Sequence, residues 1–164
     1  MDKQFLVDQL ITQLRGAANA ALAASEASAR EAKDGATPAE KREDARAAHQ
    51  AGTLGKAQTQ RARRALGEVD ALLTFRPAAL PERAAVAVGA IVEIEDDESG
   101  EGRTFFLAPV GAGVTLTGPG GDGYLSVVTP ASPVGKAVLG RRVGDVIDVT
   151  VDGEVREWAI TWVG

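Results

Sequence analysis

The chain contains no cysteine and a single histidine, His49. The first absence excludes a disulfide framework, a thiolate metal site and a cysteine nucleophile. The second excludes a His-rich metal cluster and argues against a Ser/His/Asp triad. Aromatic residues are also scarce: Phe5, Phe75, Phe105, Phe106, Tyr124, Trp158 and Trp162. Six of these seven stand at or after Phe75, so a core of bulky side chains is expected in the second half. No apolar run approaches the roughly 20 residues needed to span a bilayer. Asp2, Lys3 and Asp8 around Phe5 to Leu10 do not form the basic start and apolar stretch of a signal peptide. A soluble cytoplasmic protein without membrane contact is the expectation.

Charge is unevenly distributed. Met1 to Phe75 carries 11 basic and 10 acidic side chains, whereas Arg76 to Gly164 carries 7 basic and 13 acidic. Coating phosphates requires clustered Lys and Arg, so the acidic second half disfavours direct nucleic-acid binding. What is plentiful in the first half is alanine, from Ala17 to Ala32 and from Ala39 to Ala71, and alanine is the best helix former.

The first 75 residues therefore read as helix, broken once at Lys33-Asp34-Gly35-Ala36-Thr37-Pro38. Gly35 stops a helix, Thr37 is a candidate N-cap, and Pro38 suits a first helical position. Glu40 in the first turn complements the helix dipole. Two helices of roughly 30 and 37 residues would make a hairpin about 45 Å long. Leu6, Leu10, Leu14 (or Gln13), Ala17, Ala21 and Ala24 form the expected seam of the first helix, and Leu66, Val69, Leu72 and Leu73 that of the second. Gly52 and Gly55 each cost about 1 kcal/mol relative to alanine in a helix interior, which predicts a break or kink there. An intramolecular hairpin is preferred over a dimerising coiled-coil arm, because the leucines of a continuous seam fade toward the turn.

Two prolines in Arg76-Pro77-Ala78-Ala79-Leu80-Pro81-Glu82 end the helices, giving expected domains of 1–75, a linker at 76–84, and 85–164. The pattern then becomes that of strands. Val86, Val88, Ala90, Val92 and Ile94 alternate; further strands are predicted at Thr104–Leu107, Val114–Thr117, Leu125–Thr129, Val146–Val151 and Glu154–Val163. Asp152-Gly153 is a two-residue hairpin signal. Ser132-Pro133 predicts the start of a short helix with Val134, Ala137, Val138 and Leu139 on its apolar face and Gly140 closing it. The expected fold is α+β: a long antiparallel helical hairpin followed by a bent sheet around one short helix. Glu93, Glu95, Asp96, Asp97 and Glu98 read as a solvated strand end and turn. Gly118 to Gly123 reads as a flexible turn, lacking the Lys-Ser/Thr of a phosphate loop. Arg61, Arg63 and Arg64 read as a solvated helix face.

The run Ser132-Pro133-Val134-Gly135-Lys136-Ala137-Val138-Leu139-Gly140-Arg141-Arg142-Val143-Gly144-Asp145 resembles the C-terminal signature of the Gre-type (GreA/GreB) transcription elongation and transcript cleavage factors. Capping residues, closing glycine and glycine-aspartate turn fall in the family order over 14 positions, and the resemblance covers about the last 80 residues. It implies an FK506-binding-protein-like half-barrel preceded by a coiled-coil hairpin. It also implies a partner: bacterial RNA polymerase, docked at the rim of the secondary channel, with nucleic acid touched only indirectly. In that picture Ser132, Pro133, Lys136, Arg141 and Arg142 face the partner. Glu40, Glu43 and Asp44 at the hairpin tip assist a metal at the polymerase active centre. Carboxylates are hard ligands for Mg²⁺, so the ion would be shared with the polymerase; the chain would hold no cofactor of its own and would be an accessory factor rather than an enzyme.

The tip departs from the family pattern. Thr37 stands where an aspartate three residues before Glu40 is expected, no tyrosine is nearby, and Lys33, Lys41 and Arg42 dilute the negative field. The leading expectation is a monomeric factor that stimulates cleavage of backtracked RNA. The alternative is a non-cleaving Gre-like regulator or inhibitor of the same channel. A peptidyl-prolyl isomerase and a dimeric adaptor are readings from other classes.

Overall fold

A computed structural model describes residues 2–33 and 41–164, with side chains at 2–30, 52–150 and 152–164. Its elements are α1 (Gln4–Lys33), α2 (Lys41–Leu73), β1 (Ile91–Asp96), β2 (Gly102–Leu107), β3 (Thr115–Thr117), β4 (Tyr124–Val128), α3 (Pro133–Val138), β5 (Val146–Val151) and β6 (Glu154–Val163). The fold is thus a long helical hairpin followed by a mixed sheet with one short helix. The chain divides into two compact units. One joins Met1–Ile11 to Ala71–Gly164, and the other is Thr12–Asp70.

Among the described residues of the helical unit the buried side chains are Leu14, Ala18, Ala62 and Val69. Ala21, Ser25 and Ser28 continue the α1 seam as half-buried positions. The seam thus runs 14, 18, 21, 25, 28 in alternating steps of four and three. Ala17 and Ala24, expected in it, are exposed. With alanine at neighbouring positions, composition does not set the phase; the bulky Leu14 and the polar contacts of Ser25 do. The Ser25 hydroxyl donates to the Gly55 carbonyl at 3.3 Å and lies 3.3 Å from the Thr59 hydroxyl, which also donates to Gly55 at 2.9 Å. Small residues let the backbones approach closely there. Leu66 and Leu73, expected in the seam, are 43% and 45% exposed. The expected break is absent: α2 runs unbroken through Gly52 and Gly55.

The sheet unit has strand order β3-β4-β2-β1-β6-β5. Its pairings are antiparallel except β2 with β4. Alternation sends Val92, Ile94, Phe105, Leu107, Ile147, Val149, Trp158 and Ile160 into one core, which Val138 of α3 joins. The intervening residues Ile91, Phe106, Leu125 and Val127 are buried on the opposite face. The start of α1 belongs to this unit. The Gln9 side-chain amide donates through Nε2 to the Thr117 carbonyl at 2.9 Å and accepts at Oε1 from the Thr117 N–H at 3.1 Å, and Leu10 lies against Gly111. Lys3 is also buried, and among the described residues its ammonium has no hydrogen-bond partner. Burial pushes its pKa below the ordinary 10.5.

Three local expectations need correcting. The strand begins at Ile91, not Val86. Gly89 adopts φ +97° with Pro77 packed against it, and the Ala90 N–H closes a turn onto Ala87. Val88 is consequently exposed. Asp96 is not solvated but buried, accepting from the Glu98 and Ser99 N–H groups at 2.8 and 3.3 Å and from Arg156 at 3.2 Å. These bonds, led by that of Glu98, hold its carboxyl below the usual carboxylate range against the opposing effect of burial. Leu139 is 44% exposed, because α3 ends at Val138 and the chain turns outward.

Candidate partner-docking surface

Ser132 organises the start of α3. At φ −72°, ψ 154° its hydroxyl accepts from the Gly135 N–H at 3.2 Å and the Thr129 N–H at 3.2 Å, and donates to the Thr129 carbonyl at 2.8 Å. The hydroxyl satisfies one of the helix's orphan donors and ties α3 to the end of β4. Pro133 occupies the first turn, where its missing N–H costs nothing. Gly135 is there because nothing larger fits: a Cβ would lie 1.8 Å from the Thr129 carbonyl oxygen.

After α3 the chain is anchored in three places. Gly140, at φ +79°, donates to the Val86 carbonyl at 2.8 Å, and the Arg141 carbonyl accepts from Val86 at 2.7 Å. The Asp145 carboxylate accepts from the Arg142 N–H at 2.9 Å, closing a turn through Gly144. That turn is bonded to β6, Gly144 N–H to the Ile160 carbonyl at 2.8 Å and Ile160 N–H to Asp145 at 2.9 Å. The Arg142 guanidinium donates to the Arg83 carbonyl at 2.6 Å.

The sequence-predicted partner residues are thereby held on one continuous stretch. Pro133, Lys136, Arg141 and Arg142 are exposed, whereas the Ser132 hydroxyl is committed to the cap. Sequence reasoning did not expect the exposed aliphatic residues on and just after this stretch: Leu139, Val143 and Val146, which are 44%, 46% and 55% exposed. Their spacing resembles that of core residues, and only the outward turn after Val138 distinguishes them. Three cations around exposed aliphatic side chains suit an acidic protein surface with apolar content.

Glu40 lies outside the described residues, as do Asp34, Thr37 and Pro38. Glu43 and Asp44 fall within α2, with side chains outside those described. Among the described residues no group of three or more His, Asp or Glu is placed to hold a metal ion, and no described helix is long and apolar enough to cross a membrane.

The sheet, the capped α3 and its anchored turn coincide with a known family. The sequence model for the C-terminal region of the GreA/GreB transcription elongation factors matches residues 81–164. The chain belongs to the GreA/GreB family. Among individual relatives, the transcription inhibitor protein Gfh1 of Thermus thermophilus is 33% identical over 75 residues, 46% of this chain. The Gfh1 of Thermus aquaticus is 31% identical over the same length. The chain matches 44% of the length of these curated relatives. Among solved structures, GreA factor homolog 1 of Thermus thermophilus aligns over 96% of this chain and 94% of that one, with 24% identity and a TM-score of 0.42. A GreA/GreB factor from Nitrosomonas europaea covers 59% and 77% with a TM-score of 0.39. Within the Gre family signature, the two glycines Gly135 and Gly140 thus have separate physical reasons, a close approach and a left-handed turn.

Proposed function

We propose that this protein binds bacterial RNA polymerase through the surface around α3 and places its hairpin in the secondary channel, where it modulates transcription without being an enzyme itself. The observation that carries this reading is the α3 surface, a hydrogen-bonded stretch carrying Pro133, Lys136, Arg141, Arg142 and exposed aliphatic side chains, in a chain of the GreA/GreB family. At the active centre the tip favours modulation or inhibition without cleavage. Thr37 replaces the aspartate expected three residues before Glu40, lysines and an arginine flank it, and the matched Thermus relatives are named transcription inhibitors.

Stimulation of RNA cleavage is the second reading, favoured by the carboxylates of Glu40, Glu43 and Asp44. Any Mg²⁺ involved belongs to the polymerase site, with these carboxylates as candidate extra oxygen ligands. Adding the protein to backtracked elongation complexes and following the RNA 3′ end separates the two. Unshortened RNA with retained binding supports a channel regulator. Shortening abolished by a Glu40, Glu43 and Asp44 to alanine triple variant supports cleavage. An Arg141→Ala, Arg142→Ala double variant that binds as tightly as wild type would sink the docking surface.

A further inference from the structure

The sheet face opposite α3 carries a pocket of about 220 Å³. Ile91 and Leu125, both buried, lie at its floor, and Glu93, Asp122, Tyr124 and Trp162 line its edge. Trp162 reaches it through a defect in the sheet. Trp158 and Ile160 point into the core, and strict alternation would send Trp162 to the same side. The register of β1 and β6 shifts between Glu93 and Ile94, so that Glu93 faces Trp162 while Ile94 faces Ile160. Thr161 is the extra residue, its hydroxyl bonded to the Glu93 carbonyl at 3.3 Å. A bulge re-aims the side chains beyond it; here Val163 takes the core position and Trp162 stands beside Glu93. The backbone of Gly164 lies against the indole, since a Cβ there would fall 2.2 Å from it.

The charges at this pocket are unspent. Arg103 and Arg156 neutralise Asp96, Glu101, Asp152 and Glu154 elsewhere on the sheet unit. Among the described residues neither the Glu93 nor the Asp122 carboxylate has an ion pair or hydrogen bond. Two free carboxylates beside an exposed indole call for an organic cation, which an aromatic face attracts. The described acidic side chains make no group of three suited to a metal ion. At 220 Å³ the space is below the roughly 300–1,000 Å³ of a drug-sized ligand site and suits one side chain. A planar, weakly hydrated guanidinium stacks on an aromatic face and pairs with carboxylates better than an ammonium does.

We propose that this pocket receives an arginine side chain presented by a partner protein. The site lies across the sheet from α3 and stands whether or not the docking reading above holds. The test uses the two tryptophan indole N–H signals of the ¹⁵N-labelled full chain, Trp158 in the core and Trp162 at the pocket. N-acetyl-arginine amide is titrated in parallel with its uncharged citrulline counterpart. The arginine probe moves the Trp162 signal with a saturable curve on the order of millimolar, leaves Trp158 in place, and binds more weakly as salt is raised. Glu93→Gln and Asp122→Asn each weaken binding by about two- to fivefold while the Trp158 signal stays unchanged. A stationary Trp162 signal, equal movement with citrulline, or an unchanged curve in both variants overturns the proposal.

Discussion

Replacing Gly135 by alanine tests the account of α3 most severely. The added methyl would lie 1.8 Å from the Thr129 carbonyl oxygen, 2.7 Å from its carbon and 2.9 Å from the Ser132 hydroxyl. Two of these are backbone atoms at the end of β4, so no side-chain rotation relieves the clash. Overpacking a tight site costs about 1–3 kcal/mol, occasionally more. Moving α3 away also breaks the Ser132 cap, whose loss costs roughly 0.5–2 kcal/mol. Together the expected loss is about 3–4 kcal/mol, a large share of the roughly 5–15 kcal/mol of an ordinary domain. At roughly 4–8 °C per kcal/mol for a unit near 100 residues, the melting temperature should fall by at least about 12 °C. Trp158 in the core reports the transition by fluorescence. Ser132→Ala, which removes the cap alone, should cost only about 1 kcal/mol. A Gly135→Ala protein melting within 3 °C (about 0.5 kcal/mol) of wild type would refute the close-approach argument.

Other outcomes follow from single contacts. Gly52→Ala and Gly67→Ala meet open space within α2 and should each stabilise the helical unit by up to about 1 kcal/mol, seen as a raised far-UV CD melt; destabilisation would mean that α2 is not helical there. Lys3→Met should stabilise the sheet unit by roughly 1 kcal/mol by removing an unpartnered buried ammonium, read as a higher urea midpoint at pH 7. The folded Lys3 has its pKa lowered from 10.5, so the unfolded chain binds more protons in that window. Wild-type stability should therefore gain from this group as pH rises toward 10.5, and Lys3→Met should lack the gain. Asp96 has the same sign in the acid range. Its folded pKa is lowered from 3.8, so its contribution is present above that value and is lost as pH falls through the lower folded value. Acid titration of Asp96→Asn should show a shallower loss of stability than wild type, and identical profiles would count against the buried turn.

Much of the architecture is readable where local chemistry speaks alone. The alanine-rich runs, the prolines at 77 and 81 and the Ser132-Pro133 cap each act within a few residues. So does the Asp152-Gly153 turn, where both residues take positive φ, 54° and 85°. The signature from Ser132 to Asp145 pointed to the Gre family for the same reason: its caps and turns are local devices that hold their order in the chain. Along the candidate surface, Pro133, Lys136, Arg141 and Arg142 stand exposed on the stretch the signature marks, while the exposed Leu139, Val143 and Val146 were indistinguishable from core residues.

Tertiary structure decided what depends on a distant partner. The phase of the α1 seam turned on Ser25 meeting Gly55 and Thr59, since alanine stands on either side of the true stripe. The buried Asp96 carboxylate also accepts from Arg156, a partner 60 residues away. Gly89 bends because Pro77 lies against it, and Trp162 leaves the core because one residue too many is paired against β1. The sequence by itself determined the caps, breaks and turns that set the element types, because those energies are local. Which face each side chain occupies was settled only by the register between strands and helices, where a shift of one residue reverses inside and outside.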